Sequence, residues 1–304
     1  MVHRVEGFDI IARNEQAAGQ VGLISGGGSG HEPAHAGFVG DGMLSAAIAG
    51  AVFTSPTPDQ ILEAIKEADQ GAGVFMVVKN YSGDIMNFEM AQELAEMEGI
   101  EVASVVVDDD IAVENSLYTQ GRRGVAGTIF VHKILGHAAR EGKSLAEIKD
   151  LADKIVPNIH TIGLALNGAT VPEVGKPGFV LAEDEIEYGI GIHGEPGYRK
   201  ESMQPSRQLA EELTGKLLEA FEAKAGERYA LLINGMGATP LMEQYVFAND
   251  VASILGEVGL EVAYKKLGNY MTSIDMAGLS LTLMKIENDA WLEALESPVK
   301  TIAW

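Results

Sequence analysis

An α/β fold with two α/β domains is what this sequence predicts, the first a parallel three-layer α/β/α sheet, the second a mixed sheet with helices. Three observations carry that expectation. β-Branched runs alternate with capped helical stretches through the first half, and strands that read as continuous apolar runs need cover on both faces, as parallel sheets between helices have. With 304 residues, 46 % of them hydrophobic, the chain can bury a large core, and at about 100–200 residues per domain it suits two domains better than one. After about residue 156 the texture of the strands changes, with no linker rich in Pro, Ser or charge. The division falls between 1–155, a first α/β domain with a glycine loop, and 156–304, a second α/β domain.

Each element has its own signal. VGLIS (21–25) reads as a strand that exits into a glycine loop, GGGSGHEPAH (26–35). In FTSPTPDQILEAIKEAD, Thr57 is placed as N-cap, Pro58 at the first helical position and Gln60 at the third, a capping box. VFMVV (74–78) exits through KNYSGD into a helix whose Phe88, Ala91, Leu94 and Ala95 keep helical spacing. VASVVV (102–107) exits through Asp108, Asp109 and Asp110, and helices follow at 125–141 and 144–155, the latter opened by Ser144 with Glu147 three residues on. In the second half TIGLALNGATVP and YALLINGMGATP echo each other through shared turn chemistry, EIEYGIGIHGEPG and LSLTLMKI look like further strands, and helices accompany them at 205–224 and 240–258. Ligands of such sheets sit at the carboxyl ends of the strands. The glycine loop, KNYSGD and the Asp triplet all lie there.

Charge and composition exclude several functions. The formal net charge is −22, a field that repels phosphate backbones and anionic lipid heads, so neither nucleic acid nor membrane is expected as partner. Cys is absent, which removes disulfides, thiolate metal sites and a cysteine nucleophile. The start, MVHRVEGFDI, lacks a signal-peptide apolar stretch, and no window approaches the ~18–20 apolar residues of a membrane span. A cytoplasmic protein is the default.

GGGSGHEPAH invites three chemistries. H-E-x-x-H binds zinc only when helical, so that its two histidines share a face; Pro33 between His31 and His35 disfavours that helix. A phosphate loop needs G-K-[ST], but Gly30 is followed by His31 and Glu32. The third is a turn that aims a histidine into a pocket. A tight turn alone accounts for the glycines and leaves the His-Glu pair at a strand exit unexplained. Taken singly, Asp84 reads as the N-cap of a helix starting at Ile85, Lys79 as a solvated strand end, and His193, between Gly191 and Gly194, as hydrogen-bonded scaffold.

Taken together, GGGSGHEPAHAGFVGDGMLSAA, FTSPTPDQI, KNYSGDIMNFE, VVVDDDIAVENSLYTQGRRGVAGT, GATVPEVGKPGF, GIGIHGEPG and GATPLMEQY, in this order, closely resemble the dihydroxyacetone kinase K-subunit family. The resemblance runs from about Val21 to the C-terminus. It implies that His193 adds covalently to the ketone of dihydroxyacetone as a hemiaminal, and that His31 is the catalytic histidine of GSGHEP. Lys79 and Asp84 would bind substrate, with Gly28, Ser29 and Gly30 lining it. A neutral imidazole is a competent nucleophile, and a bond to a carbonyl carbon selects ketones over glycerol. His31 and Asp84 would accept or relay the proton of the hydroxyl that attacks phosphorus.

The resemblance also implies that this chain carries no metal and no cofactor of its own. Mg-ADP belongs on a separate L-subunit, rephosphorylated by a phosphotransferase-system protein, since a chain ending at Trp304 leaves no room for the nucleotide-binding domain. Members of the family form homodimers, and their usual N-terminal helical segment ahead of HRVEGFDIIARNE is missing here. The alternative role is a dihydroxyacetone sensor that acts with a transcription factor without turnover; His31, Asp84 and His193 together favour catalysis, because a sensor needs no proton acceptor.

Overall fold

The computed structural model describes residues 1–304 as alternating layers of helix and sheet. The first sheet holds β1 (Val2–Arg4), β2 (Ile10–Arg13), β3 (Gly22–Ser29), β4 (Ala46–Val52), β5 (Val74–Lys79) and β6 (Val102–Val107) in the order β1-β2-β4-β3-β5-β6. Strands β4, β3, β5 and β6 are parallel, and β1 and β2 add an antiparallel edge. The expected parallel sheet is therefore its centre. Helices α1 (Pro58–Ala68) and α2 (Ser82–Met97) cover one face, with Ile61, Ile65, Phe88 and Ala91 packed on Ile24, Met76 and Val78. On the other face lie α3 (Thr128–Arg140) and α4 (Leu145–Ile155).

The second sheet takes β7 (Ile159–Ala165), β10 (Glu185–Tyr188), β11 (Arg199–Ser202), β12 (Arg228–Gly235), β13 (Glu261–Gly268) and β14 (Gly278–Lys285) in the order β11-β10-β7-β14-β12-β13, while β8 (Thr170–Val171) and β9 (Lys176–Pro177) form a small hairpin apart from it. Only β12 and β13 pair in parallel; the sheet is mixed, as the sequence predicts. Helices α5 (Ser206–Ala220) and α6 (Leu241–Glu257) bury Leu213, Leu217, Phe247 and Val251 against its outer face. The inner face shares one core with α3, α4 and α7 (Asp289–Glu296): Ile129, Phe130 and Ile134 belong to the same cluster as Ile159, Leu232, Met284 and Trp291.

Local chemistry explains the boundaries. Thr57 and Gln60 form the expected capping box of α1, and Ser144 with Glu147 that of α4, where Ser144 N donates to Glu147 Oε2 at 2.9 Å. Three expectations are corrected. The glycine run is not a loop: β3 continues through Gly28, paired with Ile48–Gly50 of β4, a strand whose Ala- and Gly-rich sequence gives little β signal. A Cβ on Gly28 would stand 2.5 Å from Thr54 N, so close approach of the chain after β4 requires glycine there. Nor is Asp84 a cap: Tyr81 is the N-cap residue of α2, and Asp84 lies in its first turn. In EIEYGIGIHGEPG only Glu185–Tyr188 is a strand, the rest being turns.

The Asp triplet ties the sheets together. Asp109, buried at the start of α3, accepts from Val125 N (2.7 Å), Gly127 N (2.8 Å) and Thr161 Oγ1 of β7 (2.5 Å). Asp110 pairs with the fully buried Arg123 at 2.8 Å, which also donates to Gly189 O at 2.6 Å. Strand exits of the first sheet are thereby fixed against the glycine turns that carry His193.

Candidate active site

His31 sits just beyond β3, entirely buried, and the second half of the chain grips the turn that carries it. Thr272 N donates to His31 O (3.2 Å), Ile274 N to Gly30 O (2.8 Å) and Thr272 Oγ1 to Glu32 O (2.8 Å). The His31 ring lies with Nδ1 2.8 Å from Thr272 O. A carbonyl only accepts, so Nδ1 carries the proton and Nε2 presents a lone pair. His193 is prepared in the same sense by Glu195, itself buried: Oε2 accepts from His193 N (2.9 Å) and Oε1 from Nδ1 (3.0 Å). The two Nε2 atoms then face each other at 3.1 Å. With both Nδ1 positions committed as donors, that contact is a hydrogen bond only when one proton lies between the rings.

Electrostatics reinforce the arrangement. Burial, then the neighbouring His193 and Lys79, push His31 well below the ordinary imidazole range. Burial favours a neutral Glu195, but its hydrogen bond to His193 and the charges of His193 and Arg123 hold it below the usual carboxylate range. Phe53 stacks on His31 at 5.2 Å between centroids, and Tyr81 meets His193 edge-on at 4.6 Å, so the imidazoles are walled by aromatic rings.

His193 opens on a cleft of about 590 Å³ bounded by Gly28, Phe53, Ser55, Tyr81 and Asp84, with exposed Leu117 and Tyr118 at its rim. Asp84 is 5 % exposed, and its Oδ1, like the Tyr81 hydroxyl, is buried with no hydrogen-bond partner in the protein. Orphaned buried polar atoms that line a cleft are positions a polar ligand would satisfy.

Of the residues singled out in the sequence, Gly28, Asp84 and His193 line this cleft, and His31 lies behind His193. Ser29 Oγ donates to Gly50 O at 2.7 Å, and Gly30 N to the Glu32 carboxylate; neither lines the cleft. Lys79, 1 % exposed, lies beneath the glycine strand, where Nζ donates to Gly26 O at 3.2 Å. The histidines of HEPAH part company, His31 toward His193 and His35 toward Lys79 and His132, and no group of three His, Asp or Glu side chains converges as a metal site would. Sequence reasoning missed Glu195, Tyr81, Phe53 and Thr272. For Glu195 a signal existed, a carboxylate two residues beyond a histidine in a glycine turn.

The profile of the Dak1 domain matches residues 1–303. The chain belongs to the Dak1 family. It is 68 % identical over 304 residues to the PTS-dependent dihydroxyacetone kinase, dihydroxyacetone-binding subunit DhaK, of Lactococcus lactis subsp. lactis (strain IL1403), covering 100 % of this chain and 92 % of that protein. Another Dak1 relative, the DhaKLM operon coactivator DhaQ of the same organism, is 49 % identical over 93 % of this chain and 87 % of its own length. The crystal structure of the dihydroxyacetone kinase of C. freundii superposes with a TM-score of 0.91 at 36 % identity, over 100 % of this chain and 55 % of that one. The mixed α/β architecture seen here is thus shared with the matched part of that kinase.

Proposed function

We propose that this chain is the dihydroxyacetone-binding subunit of a split, phosphotransferase-system-dependent dihydroxyacetone kinase. It holds the substrate as a hemiaminal on His193 while an ADP-loaded L-subunit phosphorylates the terminal hydroxyl. The observation that carries this reading is the imidazole pair, Nε2 to Nε2 at 3.1 Å with His193 oriented by Glu195, opening beside an Asp84 carboxyl oxygen that nothing in the protein satisfies.

His193 Nε2 attacks the ketone carbon, a C–N bond forms, and the C=O π pair moves to oxygen. That oxygen takes a proton that His31 Nε2 draws from solvent as the addition proceeds, and His31, disposed by burial to lose a proton, is again neutral. Positive charge on the alkylated His193 ring is met by Glu195. The free terminal hydroxyl then attacks the terminal phosphorus of the rephosphorylated nucleotide on the L-subunit, the bond from that phosphorus to ADP breaks, ADP stays with the L-subunit, and the hydroxyl proton passes to Asp84. Reversal of the first step releases dihydroxyacetone phosphate. The sequence assigned both His31 and Asp84 to the hydroxyl; the 3.1 Å contact favours giving His31 the addition step and Asp84 the transfer step. We also propose a homodimer, to be checked by light scattering, and a phosphotransferase-system protein as the L-subunit's phosphoryl source.

The test uses dihydroxyacetone labelled with carbon-13 at the ketone. On wild-type protein the bound carbon is expected to leave the carbonyl region of the NMR spectrum for the tetrahedral region, and on His193→Ala to remain a ketone; a ketone signal on both would sink the covalent assignment. Reconstitution with an L-subunit and its donor system should yield dihydroxyacetone phosphate. A chain that forms the adduct yet never gives product would instead support the non-catalytic sensor, in line with its DhaQ relative.

A further inference from the structure

Beneath the cleft, Lys79, His35 and His132 form a buried row for which the proposed chemistry has no use. Lys79 Nζ lies 3.1 Å from His35 Nε2, and His35 Nδ1 lies 2.9 Å from His132 Nε2. The direction of every proton follows. An ammonium only donates, so His35 Nε2 accepts and its proton sits on Nδ1. That proton is given to His132 Nε2, which leaves His132 with its own on Nδ1. His132 Nδ1 is buried and finds no acceptor in the protein. The row is thus polarised from one end, each ring turning its lone pair toward the ammonium and its N–H away.

The other end of the row is the candidate active site. A Cβ on Gly27 would stand 2.5 Å from Lys79 Nζ and 3.6 Å from Asp84 Oδ2. Ammonium and carboxylate therefore face each other across the space a side chain would fill. Two of the three ammonium N–H groups are committed to Gly26 O and His35, leaving one uncommitted.

We propose that His35 and His132 are positioning residues for phosphoryl transfer, holding Lys79 as a fixed ammonium beside the carboxylate that receives the hydroxyl proton. This rests on the proposed kinase reading. The charged or titratable groups that face Lys79 are Asp84 from α2, His31 from the end of β3, His35 from the turn after it and His132 from α3. Burial lowers the Lys79 pKa and Asp84 opposes that shift. Burial and the Lys79 charge keep both imidazoles of the row neutral, His132 being pushed down to about 3. An acceptor for the ammonium favours its charged form, so removing that acceptor makes Lys79 surrender its proton at lower pH.

The expected result is that in His35→Leu the alkaline limb of the kcat profile moves down by about one pH unit, while the dihydroxyacetone adduct and KM stay as in wild type, which also shows the variant to be folded. His35→Gln, whose amide oxygen accepts, should return the limb toward its original place. His132→Leu should shift it the same way by less, and the double variant no further than His35→Leu alone, because both act through one ammonium. On the unsubstituted protein, nitrogen-15 imidazole NMR should find His35 and His132 both as Nδ1–H tautomers, untitrated through the neutral range. An unmoved alkaline limb in His35→Leu with its adduct intact, or an Nε2–H tautomer on either ring, overturns the proposal. A wild-type chain that forms no adduct fails the kinase reading instead, and takes the positioning role with it.

Discussion

Four histidines, His31, His35, His132 and His160, are carried into the fold as neutral groups, and that choice sets how the protein answers to acid. Burial lowers all four, the first two well below their ordinary value, His132 to about 3 and His160 to about 4. Between an unfolded value near ~6.5 and those lowered values, the unfolded chain holds protons that the fold refuses. Their contribution to stability is therefore complete above pH ~6.5 and drains as pH falls, at about 1.4 kcal/mol per pH unit for each proton at full difference. Asp110, raised to about 6 by burial against the pull of Arg123, and Asp108 and Asp109, also raised by burial, work in the opposite sense, three carboxylates against four imidazoles. The urea midpoint should be lower at pH 5.5 than at pH 7.5; an equal or higher midpoint at the acid pH would show that these rings are not held neutral. At this scale the sequence was most readable where a titratable residue stands at a strand exit or in a glycine turn, as His31, Asp84 and His193 do. Glu195 and Tyr81 escaped because their roles depend on what a turn brings near, which no periodicity records.

Elements were legible in proportion to their β-branched content and their caps. VFMVV and VASVVV became β5 and β6, and the two capping boxes opened α1 and α4. β4, AAIAGAV, was missed, and with it the reason why Gly26–Gly28 are strand and not loop: small residues on both strands let two backbones and the following turn come close. That packing also sets the site, since the empty space at Gly27 is shared by Lys79 Nζ and Asp84 Oδ2. Gly27→Ala should therefore damage function out of proportion to the fold. Overpacking of this kind costs roughly 1–3 kcal/mol, which a protein of this size survives, but the methyl would displace the ammonium or the carboxylate. We expect phosphorylation to fall by about 10²-fold or more, the lower end of what a positioned general base contributes, with a moderate loss of thermal stability. Activity within twofold of wild type would mean that neither group needs its present place.

On the scale of the whole molecule, the site belongs to neither half alone. His31, Tyr81 and Asp84 come from the ends of the first sheet, while His193, Glu195 and Thr272 come from connections of the second, and the shared core of α3, α4 and α7 fixes the two sheets against each other. The sequence divides the chain near residue 156 by the texture of its strands, yet it could not show this middle layer, because helix periodicity reports that a face is apolar without saying which sheet it meets. Such a site couples ligand binding to the stability of the entire structure. A ligand that binds only the folded state adds RT ln(1 + [L]/Kd), about 2.7 kcal/mol at a hundredfold excess over Kd, which for a chain this long should raise Tm by about 5 °C or more. Dihydroxyacetone should produce that rise in wild type and lose most of it in His193→Ala, where no bond can form, whereas glycerol, which has no carbonyl carbon for the imidazole to attack, should leave both proteins unmoved. A dihydroxyacetone shift of equal size in His193→Ala would place the binding free energy in the cleft walls, Asp84 and Tyr81 among them, and remove the covalent bond from its central role.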